Sequence, residues 1–377
     1  MAIATRRPVI ALALNFAKFI ETIRPNQTRR KAAQKYPGLV RDFLELTCLL
    51  ATVEPHTRLT GSYGRHIAIH EIKDVDFVVC LDPKYRELGA TPALEDLKIA
   101  LGALADELEE ELGEKPEVEL RPQRRSVRVY FVEDDFYLDV VPVLVREDDP
   151  DGVEGILDVP DREWKNWRPT ACVKYGNVFS GLNGEADGKL IPLMMCLKHW
   201  RSQTLKRNQA KSFWIEALVV ELVRADAIVF KDRSLAEIIA TAFAAIQTRC
   251  TDDLAKPDAT PEIPDPVIPE LNANVAHNWK RTDFETFMRR IDGAVTLTTK
   301  AIAAATAEDA IAAWQRLLGA EWFPAGIEDQ AKAAREAAFA ATTVIGRAGV
   351  AYSTPPSPEV RVTPSRPHVN YGGEEPR

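Results

Sequence analysis

The chain opens with residues whose apolar and polar positions alternate at helical spacing. Over residues 10–50 this pattern predicts two or three helical segments, with breaks at Pro25 and Pro37, because proline removes a helix hydrogen bond. Over residues 94–112 a leucine recurs at every third or fourth position, which predicts one helix that ends at Gly113. This stripe is too short for a zipper and is typical of a helix that covers a sheet.

Four other segments of the first half have the β-branched and aromatic composition of strands. Turn-forming residues follow them, and the acidic turn at residues 133–135 separates the last two. The first half is therefore predicted to be a sheet with helices. The predicted strands cover residues 57–60, 72–81, 126–132 and 136–144.

The pattern changes after Pro150. A polar stretch with glycine and tryptophan predicts a long connection up to about residue 188. Alanine-rich stretches of helical periodicity then predict a helical bundle. Five prolines in residues 256–269 predict an extended loop, and six prolines without apolar periodicity in residues 351–377 predict a disordered tail. The predicted helices cover residues 190–200, 212–224, 235–248, 282–304, 307–318 and 328–345.

Length and charge restrict what such a chain can be. Its 377 residues exceed one compact domain and favour two domains that share a cleft. We expect a first domain over residues 1–170 that includes the N-terminal helices, a helical lobe over residues 171–348, and the proline-rich tail over residues 349–377. The net charge of −8 argues against a general electrostatic hold on long nucleic acid or on an anionic membrane. Any phosphate must therefore be bound by a local site.

The cysteines and the N-terminus bear on the compartment. The five cysteines lie far apart and never in a metal-binding spacing, which predicts reduced thiols and no zinc site. The apolar run over residues 9–14 is short, and Asn15 and Lys18 interrupt it before any convincing cleavage site. No stretch approaches the roughly 20 apolar residues of a membrane span. These features predict a cytoplasmic protein without a membrane segment.

Three aspartates on predicted strands carry the chemistry. Asp74 and Asp76 are two residues apart, so their side chains point to the same face, and Asp139 can join them from an adjacent strand. Carboxylates so close would repel each other unless a cation held them, and oxygen-only ligands suit Mg²⁺ or Mn²⁺. A two-metal site is the economical interpretation. The alternative is a solvated strand face, but the apolar residues 77–79 favour a buried strand.

A glycine and a serine precede the aspartate pair. Gly61 and Ser62 lie where a predicted strand turns, and such a turn presents backbone N–H groups and a hydroxyl to a phosphate chain. Alone, a Gly-Ser pair indicates only a turn. Here it precedes Asp74-Val-Asp76, and the combination with the later single Asp139 resembles the catalytic signature of the DNA polymerase β-like nucleotidyltransferase superfamily.

Longer motifs narrow the resemblance to the bacterial cGAS/DncV-like nucleotidyltransferases, the CD-NTases of CBASS anti-phage systems. It covers residues 40–325, and the order and spacing of its motifs carry more weight than any single one. Relatives generally place a threonine where this chain has Ile67, so a hydroxyl contact beside the phosphate loop is unassigned. The motifs are residues 61–69 (GSYGRHIAI), 73–76 (KDVD), 138–142 (LDVVP), 197–200 (LKHW), 211–216 (KSFWIE) and 265–269 (DPVIP), followed by Asn272, Asn274 and Trp279.

The resemblance implies an α+β fold. A polymerase β-like palm of mixed sheet and helices would be followed by an α-helical C-terminal lobe, with the active site in the cleft between them. Two Mg²⁺ ions are implied, with Mn²⁺ as the alternative ion. The implied catalytic residues and metal ligands are Asp74, Asp76 and Asp139, and the implied nucleotide-binding residues are Gly61, Ser62, Lys198 and Ser212.

The implied activity joins nucleoside triphosphates into a cyclic di- or trinucleotide second messenger and releases pyrophosphate. Two alternatives stay open: a template-independent nucleotidyltransferase that acts on an RNA end, a small molecule or a protein, and a non-catalytic nucleotide sensor. The acidic net charge disfavours an RNA substrate, and the intact aspartate set disfavours the sensor. The resemblance implies nucleoside triphosphates as substrates, and the tail is a candidate docking segment for a regulatory protein.

Three aromatic residues near these motifs are assigned no catalytic role. His66 and His70 lie close to the phosphate loop, but metal-assisted transfer needs no imidazole. Tyr175 is a candidate for stacking on a base, although packing is the preferred interpretation.

Overall fold

The computed structural model describes residues 6–70, 74–112, 123–132, 134–206, 209–272 and 274–326, without the side chains of residues 6–11 and 109–112. The helices of this part are α1 (Arg6–Ile23), α2 (Gln27–Leu46), α3 (Gly61–Gly64), α4 (Tyr85–Leu88), α5 (Ala90–Leu112), α6 (Cys172–Glu185), α7 (Leu190–Thr204), α8 (Ser212–Arg224), α9 (Leu235–Ala255), α10 (Arg281–Ile302) and α11 (Ala307–Leu318). The strands are β1 (Thr52–Leu59), β2 (Asp74–Leu81), β3 (Val127–Phe131), β4 (Phe136–Val145), β5 (Leu157–Asp161) and β6 (Asn166–Thr170).

The strands form one mixed sheet in the order β1-β2-β4-β5-β6, with β3 paired to β4. β2 and β4 are parallel, and the other pairs are antiparallel. β4 is long enough to hold two partners on one edge: its first half pairs with β3, and its last two residues pair with β5. The centre of the sheet is therefore the β2–β4 pair.

The two faces of β2 carry different side chains, and this difference determines where Asp74 and Asp76 lie. One face, Val75, Phe77, Val79 and Leu81, is buried in the core that α2 and α5 form with the sheet. The other face begins with Asp74 and Asp76 and continues into a small apolar cluster at Val78 and Cys80. The period of two residues along a strand thus puts both aspartates at one end of an otherwise apolar strand.

A second core lies among the helices α6–α11 and takes in α1. Phe16 of α1 packs edge-on against Trp314 of α11, and Phe19 lies against His199 of α7. α2, the next helix along the chain, packs on the sheet instead. The N-terminal helices are thus shared between the two cores, and the boundary at residue 170 stays a prediction.

Two predictions for the first half were wrong in detail. α2 continues through Pro37, because buried neighbours such as Tyr36 and Val40 hold the helix on the sheet and outweigh the lost hydrogen bond. The break at Pro25 is confirmed, and Asn26 caps the start of α2 by accepting from the backbone N–H of Arg29. β1 also begins five residues before the predicted strand over residues 57–60.

The long connection predicted after Pro150 was wrong as well. It contains a short 3₁₀ helix, the β5–β6 hairpin and α6. β5 escapes a pattern-based prediction because it buries two charged residues, Asp158 and Asp161. Arg86 and Arg146 pair with Asp158, and arginines 124 and 125 pair with Asp161, so tertiary contacts satisfy carboxylates that look like loop residues in the sequence.

The helices of the second half largely follow the sequence pattern. α8 and α11 have the predicted bounds, α7, α9 and α10 shift at their ends, and the proline-rich loop before Arg281 is confirmed. Among the described helices, none is long and apolar enough to cross a bilayer. The predicted helix over residues 328–345 and the tail over residues 349–377 lie outside the described residues.

Candidate active site

The structure brings Asp74, Asp76 and Asp139 onto one face of the sheet, called here the aspartate face. β2 and β4 pair in a register that sets Asp76 beside Asp139, and Asp74 precedes Asp76 by two residues. Neighbouring strands lie about 4.8 Å apart. The three carboxylates therefore belong to one patch of charge.

Asp76 is the member whose charge is least compensated. Its side chain opens to solvent, yet the walls around it displace most of the nearby water. This desolvation, together with repulsion from Asp74 and Asp139, raises the pKa of Asp76 from 3.8 to about 6, against the attraction of Arg65 and Lys198. Solvent thus reaches the side chain of Asp76, although protein atoms surround it closely. The loss of nearby water is the largest cause of its raised pKa.

An arginine of the chain already faces two of the three carboxylates. Arg128 on β3 stands opposite Asp139 and donates from Nε to Oδ1 and from Nη2 to Oδ2, both at 2.7 Å. The same Nη2 lies 3.7 Å from Oδ2 of Asp74. The guanidinium also lies over the ring of Tyr137. Two hydrogen bonds therefore hold Asp139 in an ion pair with Arg128. In the strand register Asp76 stands beside Asp139 and not beside an arginine.

The Gly-Ser loop lies directly against this face. Gly61 has a φ of +63°, and a Cβ at this position would stand 1.8 Å from Oδ2 of Asp76. Only glycine fits there, because both the backbone conformation and the contact exclude a side chain. The backbone N–H of Thr60 donates to the carbonyl of Asp76 at 2.9 Å, which fixes the loop to β2. Ser62 follows immediately, in the single turn of α3.

The helical lobe contributes the other two predicted nucleotide-binding residues. Lys198 is buried in α7, and its Nζ lies 3.5 Å from Oε1 of Glu216. Burial lowers the pKa of Lys198, and the negative charges of Glu216 and Asp76 act in the opposite direction. Ser212 is partly exposed as the first residue of α8, one turn before Glu216. An ammonium group and a hydroxyl thus come from the second lobe.

The donor chemistry of the aspartate face fits a divalent cation such as Mg²⁺. Its possible ligands are carboxylate oxygens, and desolvation together with repulsion from Asp74 and Asp139 raises the pKa of Asp76, so a bound cation would stabilise the charged form. Within the part of the chain that the structure describes, no three metal-binding side chains already converge on one point. Both oxygens of Asp139 accept hydrogen bonds from Arg128.

The residues that sequence reasoning missed are all partners of predicted ones. Arg128 lies opposite Asp139 only because β3 and β4 pair in this register, and β3 gave no chemical motif. Arg65 and Glu216 lie inside two quoted motifs, but nothing local shows that they pair with each other. Tyr175 is buried with its ring under the Arg65 guanidinium, which supports the packing interpretation.

An apolar cavity lies elsewhere in the described part of the chain. About 680 Å³ in volume, it is bounded by α1, α7, α9, α10 and α11, with Leu12, Phe16 and Ile302 among its lining residues. None of the predicted site residues lines it.

Two sequence similarities relate this chain to known proteins. Residues 11–183 match the Second Messenger Oligonucleotide or Dinucleotide Synthetase domain. Over 361 residues the chain is 24% identical to a cyclic AMP-AMP-AMP synthase of Acinetobacter sp.. The aligned region covers 93% of this chain and 95% of the relative. Both matches support the resemblance to the CD-NTases.

Solved CD-NTases share its fold. In the E. coli CdnC:HORMA-deltaN complex the match has a TM-score of 0.63 and 17% identity over 82% of this chain and 98% of the other. For CdnG of Bradyrhizobium diazoefficiens in complex with GTP the TM-score is 0.60, with 15% identity over 82% and 96% of the two chains. The expected α+β architecture with a polymerase β-like nucleotidyltransferase fold is confirmed. The matching domain and the curated relative identify the chain as a nucleotidyltransferase.

Proposed function

We propose that this chain is a CD-NTase that joins nucleoside triphosphates into a cyclic oligonucleotide second messenger for anti-phage signalling. One observation carries the proposal: Gly61 packs on Asp76, and Asp76 stands beside Asp139 in the β2–β4 register. A phosphate-binding loop and a cation-binding face are thereby in contact. Nucleotidyl transfer needs this combination, because the triphosphate must be held where its leaving group is neutralised.

The chain's own residues divide the work. Asp74, Asp76 and Asp139 would hold two Mg²⁺ ions, with Mn²⁺ as the alternative. The ions would supply charge neutralisation for the leaving pyrophosphate and lower the pKa of the attacking ribose hydroxyl. The two aspartates of β2 fix the position of the reacting phosphate relative to the loop. Asp139 would orient the acceptor side, and the two hydrogen bonds from Arg128 fix its carboxylate while leaving one lone pair on each oxygen.

The phosphate chain would be held from both lobes. Ser62 and the backbone around Gly61 donate to it from the loop, and Lys198 and Ser212 reach it from the helical lobe. A charged donor is the stronger contributor, since hydrogen bonds with an ionised partner are about twice as strong as neutral ones. This arrangement would close the two lobes on the nucleotide.

ATP is the first substrate to test, because one full-length relative is a cyclic AMP-AMP-AMP synthase. Purified protein with Mg²⁺ is incubated with each nucleoside triphosphate alone and with all four together, and products are identified by mass spectrometry. We expect a phosphatase-resistant cyclic oligonucleotide that contains adenosine and is absent for Asp74→Asn/Asp76→Asn. Transfer only to added RNA, to a small molecule or to a protein would support the other acceptor class instead.

A regulatory protein partner is a separate part of the proposal. A CD-NTase of E. coli was solved with a HORMA protein, and we infer that this chain also binds a regulator, with residues 349–377 as the docking segment. Deletion of residues 351–377 is then expected to abolish stimulation by the regulator and leave basal synthesis in place. Unchanged binding and stimulation after the deletion would exclude the tail.

A further inference from the structure

Three buried charged residues join the loop of the sheet lobe to two helices of the helical lobe. Arg65, Lys198 and Glu216 are 8%, 7% and 2% exposed, and they are called here the buried ion cluster. Glu216 lies at its centre: Oε2 accepts from Nη2 of Arg65 at 2.7 Å, and Oε1 lies 3.5 Å from Nζ of Lys198. One carboxylate therefore holds two cations from two other elements.

Arg65 is anchored at this cluster. Its guanidinium donates to Glu216 and lies 4.6 Å from the ring centroid of Tyr175 in α6. Its backbone N–H donates to the carbonyl of Gly61 at 3.3 Å, so the anchored arginine closes the turn that carries Ser62. The loop is thus tied to the helical lobe through a side chain held by Glu216 and Tyr175.

Glu216 is also linked to the position of the Ser212 hydroxyl, the second hydroxyl of the predicted nucleotide site. Ser212 and Glu216 are four residues apart in α8, on the same face of the helix. A movement of Glu216 relative to Arg65 would therefore move Ser212 relative to Ser62. Lys198 depends on the same carboxylate from α7.

We propose that Glu216 is the positioning residue that sets Ser62, Lys198 and Ser212 in register for one triphosphate. This inference rests on the proposed nucleotide-binding role of those three residues and adds the device that aligns them. Glu216 does not touch the triphosphate in this arrangement. Arg65 acts with it as the tether of the loop.

The charge balance of the cluster supports a role beyond stability. Within the cluster two cations share one carboxylate, and the charge of the nearby Asp76 also acts on Arg65 and Lys198. Even a balanced buried ion pair is often no more stabilising than apolar residues of the same volume. Stability alone therefore does not account for the cluster, and the alignment of the three elements that it joins does.

The test uses Glu216→Gln in the full-length chain, with Glu221→Gln as the matched control. Glu221 lies in the same helix and accepts from Arg249 at 2.6 Å, but it is partly exposed and outside the buried ion cluster. Affinity for a non-hydrolysable ATP analogue with Mg²⁺ is measured by calorimetry, and folding by the melting temperature. A purely electrostatic role of Glu216 predicts tighter binding, because the change removes a negative charge. A positioning role predicts roughly tenfold weaker binding, the usual scale for a lost hydrogen bond to a charged group.

A double-mutant cycle distinguishes positioning by Glu216 from a merely structural role. The quantity measured is the coupling between two substitutions in their effect on analogue binding. Ser62→Ala is expected to weaken analogue binding several-fold in the wild type and to have almost no further effect in Glu216→Gln, because the hydroxyl is then already misplaced. In the Glu221→Gln background the full effect of Ser62→Ala should persist. Equal or tighter analogue binding by Glu216→Gln, additive effects in the first cycle, or no effect of Ser62→Ala in the wild type would each overturn the proposal.

A gentler variant covers the case in which Glu216→Gln does not fold. Arg65→Lys keeps the positive charge but loses the planar guanidinium group. Its effect on analogue binding should therefore also be non-additive with that of Ser62→Ala, but the coupling should be smaller. Additivity in that cycle would equally overturn the proposal. The readout is binding, so it is independent of the product: a chain that binds the analogue as described but makes no cyclic oligonucleotide would contradict the proposed function and leave the role of Glu216 intact.

Discussion

The aspartate face and the buried ion cluster treat charge in opposite ways. On the sheet, the side chains of Asp74 and Asp76 are exposed, and desolvation together with repulsion between like charges raises the pKa of Asp76. Between the lobes, Glu216 is buried and contacts two cations at 2.7 Å and 3.5 Å. The first region needs charge from outside the chain, whereas the second is organised by the chain itself. The comparison assigns the proposed cation binding and the proposed nucleotide alignment to two separate groups of residues.

The largest expected effect comes from removing charge on the aspartate face. Asp74→Asn/Asp76→Asn keeps the side-chain shape and removes two of three carboxylates, so we expect synthesis to fall at least about a thousandfold. Product is measured by chromatography and mass spectrometry. The double variant should still melt cooperatively, and substantial synthesis by a folded double variant would contradict the assigned role of these aspartates.

A steric change separates the loop from the aspartate face. In Gly61→Ala the new methyl meets Oδ2 of Asp76 and the backbone must hold a φ of +63°, so the loop or the carboxylate moves. We expect roughly a hundredfold loss of synthesis, the scale of a misplacement of about 1 Å at a reacting centre. Gly102→Ala in α5 is the control, because a Cβ there meets nothing within 4 Å. Equal activity of the two variants would show that the Gly61–Asp76 contact is not needed.

Loss of the ammonium group tests the helical side of the cleft. Lys198→Met keeps a long apolar side chain and leaves the Arg65–Glu216 pair in place, so the fold should persist. We expect about tenfold or more weaker binding of an ATP analogue, because a charge-assisted contact to phosphate is lost. Lys300→Met on the exposed surface of α10 should bind like the wild type. Matching affinities for the two variants would remove Lys198 from the nucleotide site.

The smallest expected effect is on stability, and its sign is opposite to that on activity. Folding raises the pKa of Asp76 from the ordinary 3.8 to about 6, so the folded protein loses stability as pH rises from about 4 to 6 and stays at a disadvantage above 6. Without divalent cations, Asp76→Asn should therefore be more stable than the wild type at pH 7.5, by about 1 kcal/mol after allowance for solvent screening at this open carboxylate. Thermal melts at pH 7.5 and below pH 4 check this, and the difference should vanish at the lower pH. A less stable Asp76→Asn at pH 7.5 would contradict the uncompensated charge.

Sequence periodicity predicted the parts of the fold that depend on local geometry. The bounds of α8 and α11 follow from apolar positions on one helix face, and β2 and β4 follow from β-branched runs. The β5–β6 hairpin could not be predicted in this way, because its buried Asp158 and Asp161 are satisfied by arginines distant in the chain. Pro37 misled for a related reason: packing on the sheet outweighed a local preference.

By itself, the sequence determined which side chains could do the chemistry. The two-residue spacing of Asp74 and Asp76 fixes a shared face in any strand, and the preceding Gly-Ser pair fixes a turn. Only the tertiary structure decided their partners. Arg128 meets Asp139 through a strand register, and Arg65 meets Glu216 across 151 residues of chain. Local spacing encodes the direction of a side chain, whereas the neighbour that sets its charge depends on which distant elements pack together.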